Sequence, residues 1–144
     1  MSHKKILFEL EQGQDGYPPA EVEGVWAVEF DDGGYKIDNI PFFTRQATLG
    51  DIIEARPAGD ELFYERTREE SGNSLLRIIF FDQHDTSQLK SELKQLGCST
   101  EQSHLPSLIS VDVPSTVNID EVRELLDEGC ENGFWDYEEA ILRQ

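Results

Sequence analysis

A chain of 144 residues that carries thirty Asp and Glu against twelve Lys and Arg has a formal net charge of −18. That length suits one ordinary domain, or two small subdomains sharing a core, and it can bury enough apolar surface to fold without a disulfide or metal staple. The charge repels phosphate backbones and anionic lipid and attracts cationic surfaces, so direct nucleic-acid binding is disfavoured and a basic protein partner is favoured, with plain solubility as the competing explanation of the acidity.

In the first half, strand signals dominate. KILFELEQ (5–12) alternates weakly, QDGYPPAEVEG (14–24) reads as loop, and VWAVEF (25–30) turns at DDGG (31–34) into YKIDNI (35–40), a hairpin with Gly at the bend. PFFTRQATLG (41–50) connects to a second hairpin, GDIIEARP (50–57) and ELFYERTRE (61–69), whose tight turn is Ala-Gly-Asp. Five short strands linked this way cannot bury both faces as a flat sheet, so residues 1–73 are expected to form a small antiparallel barrel of SH3-like or OB-like type.

From Ser74 the pattern changes to strands alternating with helices. LLRIIFF (75–81) is apolar at nearly every position, as a strand covered on both faces should be. DTSQLKSELKQLG (85–97) follows as a helix capped by Asp85 or Thr86 and stopped by Gly97, with Leu89, Leu93 and Leu96 at helical spacing. CSTEQSH (98–104) and LISVDV (108–113) form a hairpin that places Ile109, Val111 and Val113 on one side. NIDEVRELLDEGC (118–130) opens with Asn118 and Glu121 at capping-box spacing and carries an apolar stripe of Ile119, Val122, Leu125 and Leu126. FWDYEEAIL (134–142) is the last strand. The order β-α-β-β-α-β over residues 74–144 predicts a ferredoxin-like unit, and the whole chain an α+β fold. Because its sheet has helices for one face only, the barrel or a second copy must cover the other, leaving monomer and homodimer both open.

Conventional chemistry finds no foothold. Cys98 and Cys130 lack His or Cys neighbours at ligand spacing and read as reduced thiols in the core. His3 at a loose end, His84 in a strand-to-helix turn and His104 by a hairpin tip fall in no nucleophile or metalloprotease setting. Asp127 and Glu138 occupy positions one and twelve of an EF-hand frame, yet Gly129 stands at the third and Asn132 where the sharp turn demands Gly, so no metal site is expected. Asp31 and Asp32 beside Gly33 and Gly34 suit a turn better than acid–base work. With no phosphate-cradling loop either, neither enzymatic activity nor a cofactor is expected. No apolar run approaches the ~20 residues of a membrane span, and MSHKKILFELEQ turns acidic before a signal-peptide core can form, so a cytoplasmic location is expected.

What remains is a surface. Opposite the apolar stripe of helix 118–130 stand Asp120, Glu121, Glu124, Asp127 and Glu128, relieved by Arg123 alone, with Glu131, Asp136, Tyr137 and Glu138 following. These nine residues are the candidate partner-binding set, with Tyr137 as an aromatic anchor. Clustered like charge on a folded element is self-repulsive, and a cationic partner would relieve it. Among the large aromatics, Trp26, Phe30, Phe42, Phe43, Phe63, Phe80, Phe81 and Trp135 are expected mostly in the core.

NIPFF (39–43), LGDII (49–53), SGNSLLRI (71–78), LGCSTE (96–101), VDVPS (111–115) and WDYEEAIL (135–142), taken in order, resemble the bacterial family known as domain of unknown function 4265, over about residues 23–142. The resemblance implies a small bacterial cytoplasmic protein and supplies no activity. Its polar positions are Asn39, Asp51, Ser71, Asn73, Arg77 and Glu138; turn formation at Asp51 and Asn73 and an Arg77–Glu138 pair would account for them structurally. The expected function is a non-enzymatic, immunity-type inhibitor that neutralises a basic, nuclease-like toxin domain by charge mimicry. The alternative is a small-ligand protein or enzyme with a pocket between the subdomains that uses Asp51, Arg77 and Glu138.

Overall fold

Alternation of side chains explains the first five strands of the computed structural model, which describes residues 2–18, 20–81 and 86–144. They are β1 (His3–Glu9), β2 (Val22–Glu29), β3 (Tyr35–Ile37), β4 (Ile52–Ala58) and β5 (Glu61–Glu69), hydrogen-bonded in that order as a closed barrel. Ile6, Phe8, Val25, Ala27, Ile37 and Ile53 point inward and are buried, and Phe8 stacks on Tyr64 with centroids 4.7 Å apart. Consecutive strands pair antiparallel, but the seam between β1 and β5 is parallel, through Ile6↔Leu62 and Leu7↔Phe63. Parity dictates this: the first and last strands of a five-strand meander run the same way, so the expected all-antiparallel barrel closes on a parallel pair. Register shifts at Ile52/Ile53 and Glu54/Ala55 bend the β4–β5 ladder, as bulges do where a small sheet must curl.

Two details depart from expectation. β2 begins at Val22, inside the stretch read as loop, and directs Glu23 inward. Trp26, placed in the core from sequence, lies outside the barrel wall at 49% exposure, with Lys5 Nζ 5.5 Å from its ring centroid. Its neighbours Val25 and Ala27 hold the inward positions, and the period of two leaves Trp26 no choice. Asp32 does turn work: its Oδ1 accepts from Gly34 N at 2.9 Å, while Gly33 adopts a positive φ of 87°.

By its internal contacts the chain divides into residues Met1–Ser71 and Gly72–Gln144. The second unit contains β6 (Ser74–Phe80), α1 (Ser87–Leu96), β7 (Ser99–Gln102), β8 (Leu108–Val113), α2 (Ile119–Glu131) and β9 (Trp135–Ile141). Its sheet has the order β7-β8-β6-β9 and is antiparallel throughout. Leu76, Ile78 and Phe80 of β6, with Ile109, Val111 and Val113 of β8, form one core with Leu89 and Leu93 of α1 and Ile119, Val122 and Leu126 of α2. Leu75 and Arg77, on the opposite face of β6, are buried too, which is why that strand reads as apolar at nearly every position, on both faces.

Both helix ends have local causes. Gly97 terminates α1 in the left-handed region at φ 104°, its N–H returning to Leu93 O and Lys94 O. Thr86 is the N-cap residue of α1 without a side-chain capping bond, and Asp85, the other expected cap, lies outside the described residues, as does His84. Asn118 caps α2 by accepting from Asp120 N at 2.9 Å. Near the far end of α2, a Cβ on Gly129 would sit 1.8 Å from the Trp135 ring. That glycine lets the indole lie against the helix and donate from Nε1 to Leu126 O at 3.0 Å.

Candidate functional site

α2 sorts its residues cleanly. Ile119, Val122, Leu126 and Gly129 are buried, while Asp120, Glu121, Glu124, Asp127, Glu128 and Glu131 are exposed. Their spacing sets like charges three and four apart, at Glu121–Glu124, Glu124–Glu128 and Asp127–Glu131, and each such pair weakens a helix by about 0.2–0.5 kcal/mol. Position adds to this. Asp120 and Glu121 in the first turn suit the positive end of the helix dipole, but Asp127, Glu128 and Glu131 crowd the negative end and no basic residue occupies the last turn.

The nine residues expected to act together do not share one surface. Trp135, Tyr137 and Glu139 face the helices, so alternation along β9 sends Asp136 and Glu138 to the opposite side of the sheet. Asp136 is exposed there. Glu138 takes an ion pair from Arg77, with Nη1 at 3.5 Å from Oε1 and the arginine side chain 3% exposed. Tyr137 belongs with α2: its hydroxyl donates to Asp127 Oδ1 at 2.7 Å. Burial, and then that carboxylate, hold the phenol well above its ordinary pKa.

Arg123, the cation of α2, is fully engaged. Its Nε donates to Glu139 Oε2 at 2.7 Å and one Nη to Glu139 Oε1 at 3.2 Å, with Asp120 Oδ1 3.5 Å from the other. Hydrogen bonding to Glu139 raises the guanidinium pKa further. Among the described residues Glu121, Glu124, Glu128 and Glu131 make no ion pair.

Between α1 and α2 runs an open groove of about 580 Å³, lined by Glu92, Gln95 and Leu96 of α1 and by Glu121, Glu124, Leu125 and Glu128 of α2. Three of the expected residues, Glu121, Glu124 and Glu128, form its wall. Sequence reasoning missed Glu92 and Gln95 and assigned Leu96 and Leu125 to the core. The available signal was their place at the margin of each apolar stripe, one step off the Leu89–Leu93 and Val122–Leu126 lines, where burial is partial.

Residues 9–32 carry eight acids and no Lys or Arg, and several of those carboxylates find partners within the barrel unit. Glu23 is buried and accepts from Phe42 N at 2.6 Å, Phe43 N at 3.1 Å and Thr44 N at 2.8 Å. Glu29 lies 4.0 Å from Lys4, and Asp32 takes Arg68 at 3.1 Å. His3, expected at a loose end, sits in β1 with Nε2 2.8 Å from Asp38.

The polar positions singled out by resemblance hold the backbone and one another. Asn39 Oδ1 accepts from Trp26 N at 2.6 Å, buried Asp51 accepts from Thr48 N at 3.0 Å and Ser71 N at 2.9 Å, and Asn73 donates to Asp112 at 3.1 Å. Burial pushes the Cys98 thiol up to about 11 and raises that of Cys130 as well, so neither is a ready nucleophile near neutrality. Among the described residues no group of three or more His, Cys, Asp or Glu is placed to hold a metal ion, and no helix is long and apolar enough to cross a membrane.

A family model described as a domain of unknown function (DUF4265) matches residues 23–137. The chain is similar in fold to a hypothetical protein from Neisseria gonorrhoeae known from a crystal structure, with a TM-score of 0.84 at 19% identity, over 100% of this chain and 98% of that one. No curated protein matches it.

Proposed function

The chain belongs to this family of unknown function, and from that premise we propose that it is a non-enzymatic bacterial binding protein acting in the cytoplasm on a basic protein partner. Its most concrete form is an immunity-type inhibitor that caps a nuclease-like toxin domain by presenting carboxylates where the toxin expects phosphates. One observation carries this. α2 keeps Glu121, Glu124, Glu128 and Glu131 in water with no cationic partner among the described residues, although the same helix owns an arginine that reaches Glu139 and Asp120 instead. A cationic surface would relieve both the like-charge spacing and the misplaced acids at the helix C-terminus. Electrostatic complementarity of this kind speeds capture more than it deepens affinity.

Two finer structural assignments go with this proposal. The β7-β8-β6-β9 order and the placement of α1 and α2 in the chain support a ferredoxin-like β-α-β-β-α-β unit. A closed five-stranded meander supports an SH3-like or OB-like barrel.

The test is inhibition. The purified chain is titrated against a toxin-like nuclease encoded beside its gene, with cleavage of plasmid DNA as the readout and rescue of toxin-expressing cells in parallel. Stoichiometric inhibition is expected, with an association rate that falls roughly tenfold or more between low and physiological salt. An isolated gene whose product captures no basic protein even at low ionic strength would sink the proposal.

A further inference from the structure

The groove between α1 and α2 combines two surfaces that rarely serve the same neighbour. Its floor is apolar, from the half-buried Leu96 and Leu125, and its walls are the carboxylates Glu92 on one side and Glu121, Glu124 and Glu128 on the other. A purely apolar occupant would strip water from four carboxylates and leave them without partners. A purely cationic one would leave the leucine floor wet. Only a segment with both characters satisfies both surfaces at once.

The dimensions narrow it further. From Glu121 to Glu128 the wall covers seven residue steps, or about 10.5 Å at ~1.5 Å per residue, which is about two helical turns. Carboxylates at steps of three and four along it match Lys or Arg recurring at the same steps on an apposed helix, with an apolar row between them. A volume of about 580 Å³ is ample for apolar side chains to seat between the walls. Arg123 offers no internal substitute, being drawn to Glu139 and Asp120 on another side of α2.

Resting on the reading of α2 as the recognition face, we propose that the α1–α2 groove receives a basic amphipathic helix of the partner. Its apolar row sits on Leu96 and Leu125, and its flanking Lys or Arg meet Glu92, Glu121, Glu124 and Glu128. The groove thus supplies a requirement beyond charge, because a partner with basic residues but no apolar row is bound weakly at physiological salt.

The experiment uses the full chain and two fluorescein-labelled helical peptides of equal charge, one alternating Lys with a Leu row and one with Ser replacing that row. Fluorescence anisotropy is read at low and at physiological salt. The Leu-bearing peptide is expected to bind at least tenfold more tightly than its Ser counterpart at physiological salt. Leu125→Gln should remove that preference while leaving low-salt binding of the Ser peptide in place. Glu124→Lys, on the exposed side of α2 and harmless to the core, should weaken both peptides, whereas Asp136→Lys on the other face of the sheet should weaken neither. Circular dichroism confirms that each variant folds. Equal binding of the two peptides, lost with Glu124→Lys, would overturn the groove and keep the charge-based function. Binding unaffected by Glu124→Lys, or absent for both peptides at low salt, would overturn both.

Discussion

Glu23 shows how much one side chain can fix. Its carboxylate gathers three consecutive backbone N–H groups, from Phe42, Phe43 and Thr44, and so shapes a connection that has no strand or helix of its own. Hydrogen bonds to a charged acceptor contribute about 1.5–3 kcal/mol each before losses are shared. Glu23→Gln keeps one carbonyl acceptor and aims an NH2 at a donor, so a loss of about 2–4 kcal/mol in urea-unfolding stability is expected. Cys98 makes a different prediction. Folding raises its thiol pKa from 9.0 to about 11, so the folded state favours the protonated form. That stabilising contribution is complete below pH 9 and disappears as pH climbs through 11, with a magnitude of about 2–3 kcal/mol. Urea unfolding measured from pH 8 to 11.5 should show a decline that flattens in Cys98→Ala. Sequence alone marked Cys98 as a small core residue, correctly by its burial. It could not mark Glu23, because an inward carboxylate on a strand is legible only once the loop it gathers is in place.

At the scale of elements, α2 is stabilised by its buried stripe and weakened by its exposed one. Glu128→Lys combined with Glu131→Lys places cations at the negative end of the dipole and turns two like-charge spacings, Glu124–Glu128 and Asp127–Glu131, into opposite-charge ones. Thermal unfolding should therefore show the free protein gaining a few tenths to about 1 kcal/mol. The same variant should bind the basic partner less well, the trade expected where surface charge is kept for recognition at the expense of stability. The stripe of α2, the apolar run of β6 and the stop at Gly97 were all legible, since each rests on a period or a backbone conformation that neighbours in sequence determine. Where β9 sends its side chains was legible as alternation, yet grouping Asp136 and Glu138 with α2 ignored it. The groove was harder. Nothing within α1 or α2 alone says which margin of each stripe will be turned toward the other helix.

For the whole molecule the acidity is shared out: residues 1–71 hold sixteen acids against seven Lys and Arg, and residues 72–144 fourteen against five. The two units carry equal net charge. What distinguishes α2 is therefore local, a matter of which acids find partners and which do not. So strong an overall charge opposes compaction, and screening should relieve it. Raising sodium chloride from 10 to ~200 mM is expected to raise the thermal midpoint, and a flat or falling midpoint would show that the carboxylates are too well separated to repel.

The parallel seam of the barrel bears on the order in which the chain can assemble. Each hairpin joins partners that leave the ribosome almost together, so their ladders can form as soon as a turn emerges. β1 has a second edge to satisfy, and its mate there, around Leu62 and Phe63, is synthesised some fifty-six residues after Ile6. Until then that edge offers unpaired N–H and C=O groups to any passing strand. The nascent N-terminal ribbon thus carries an open edge that only the arrival of β5 closes.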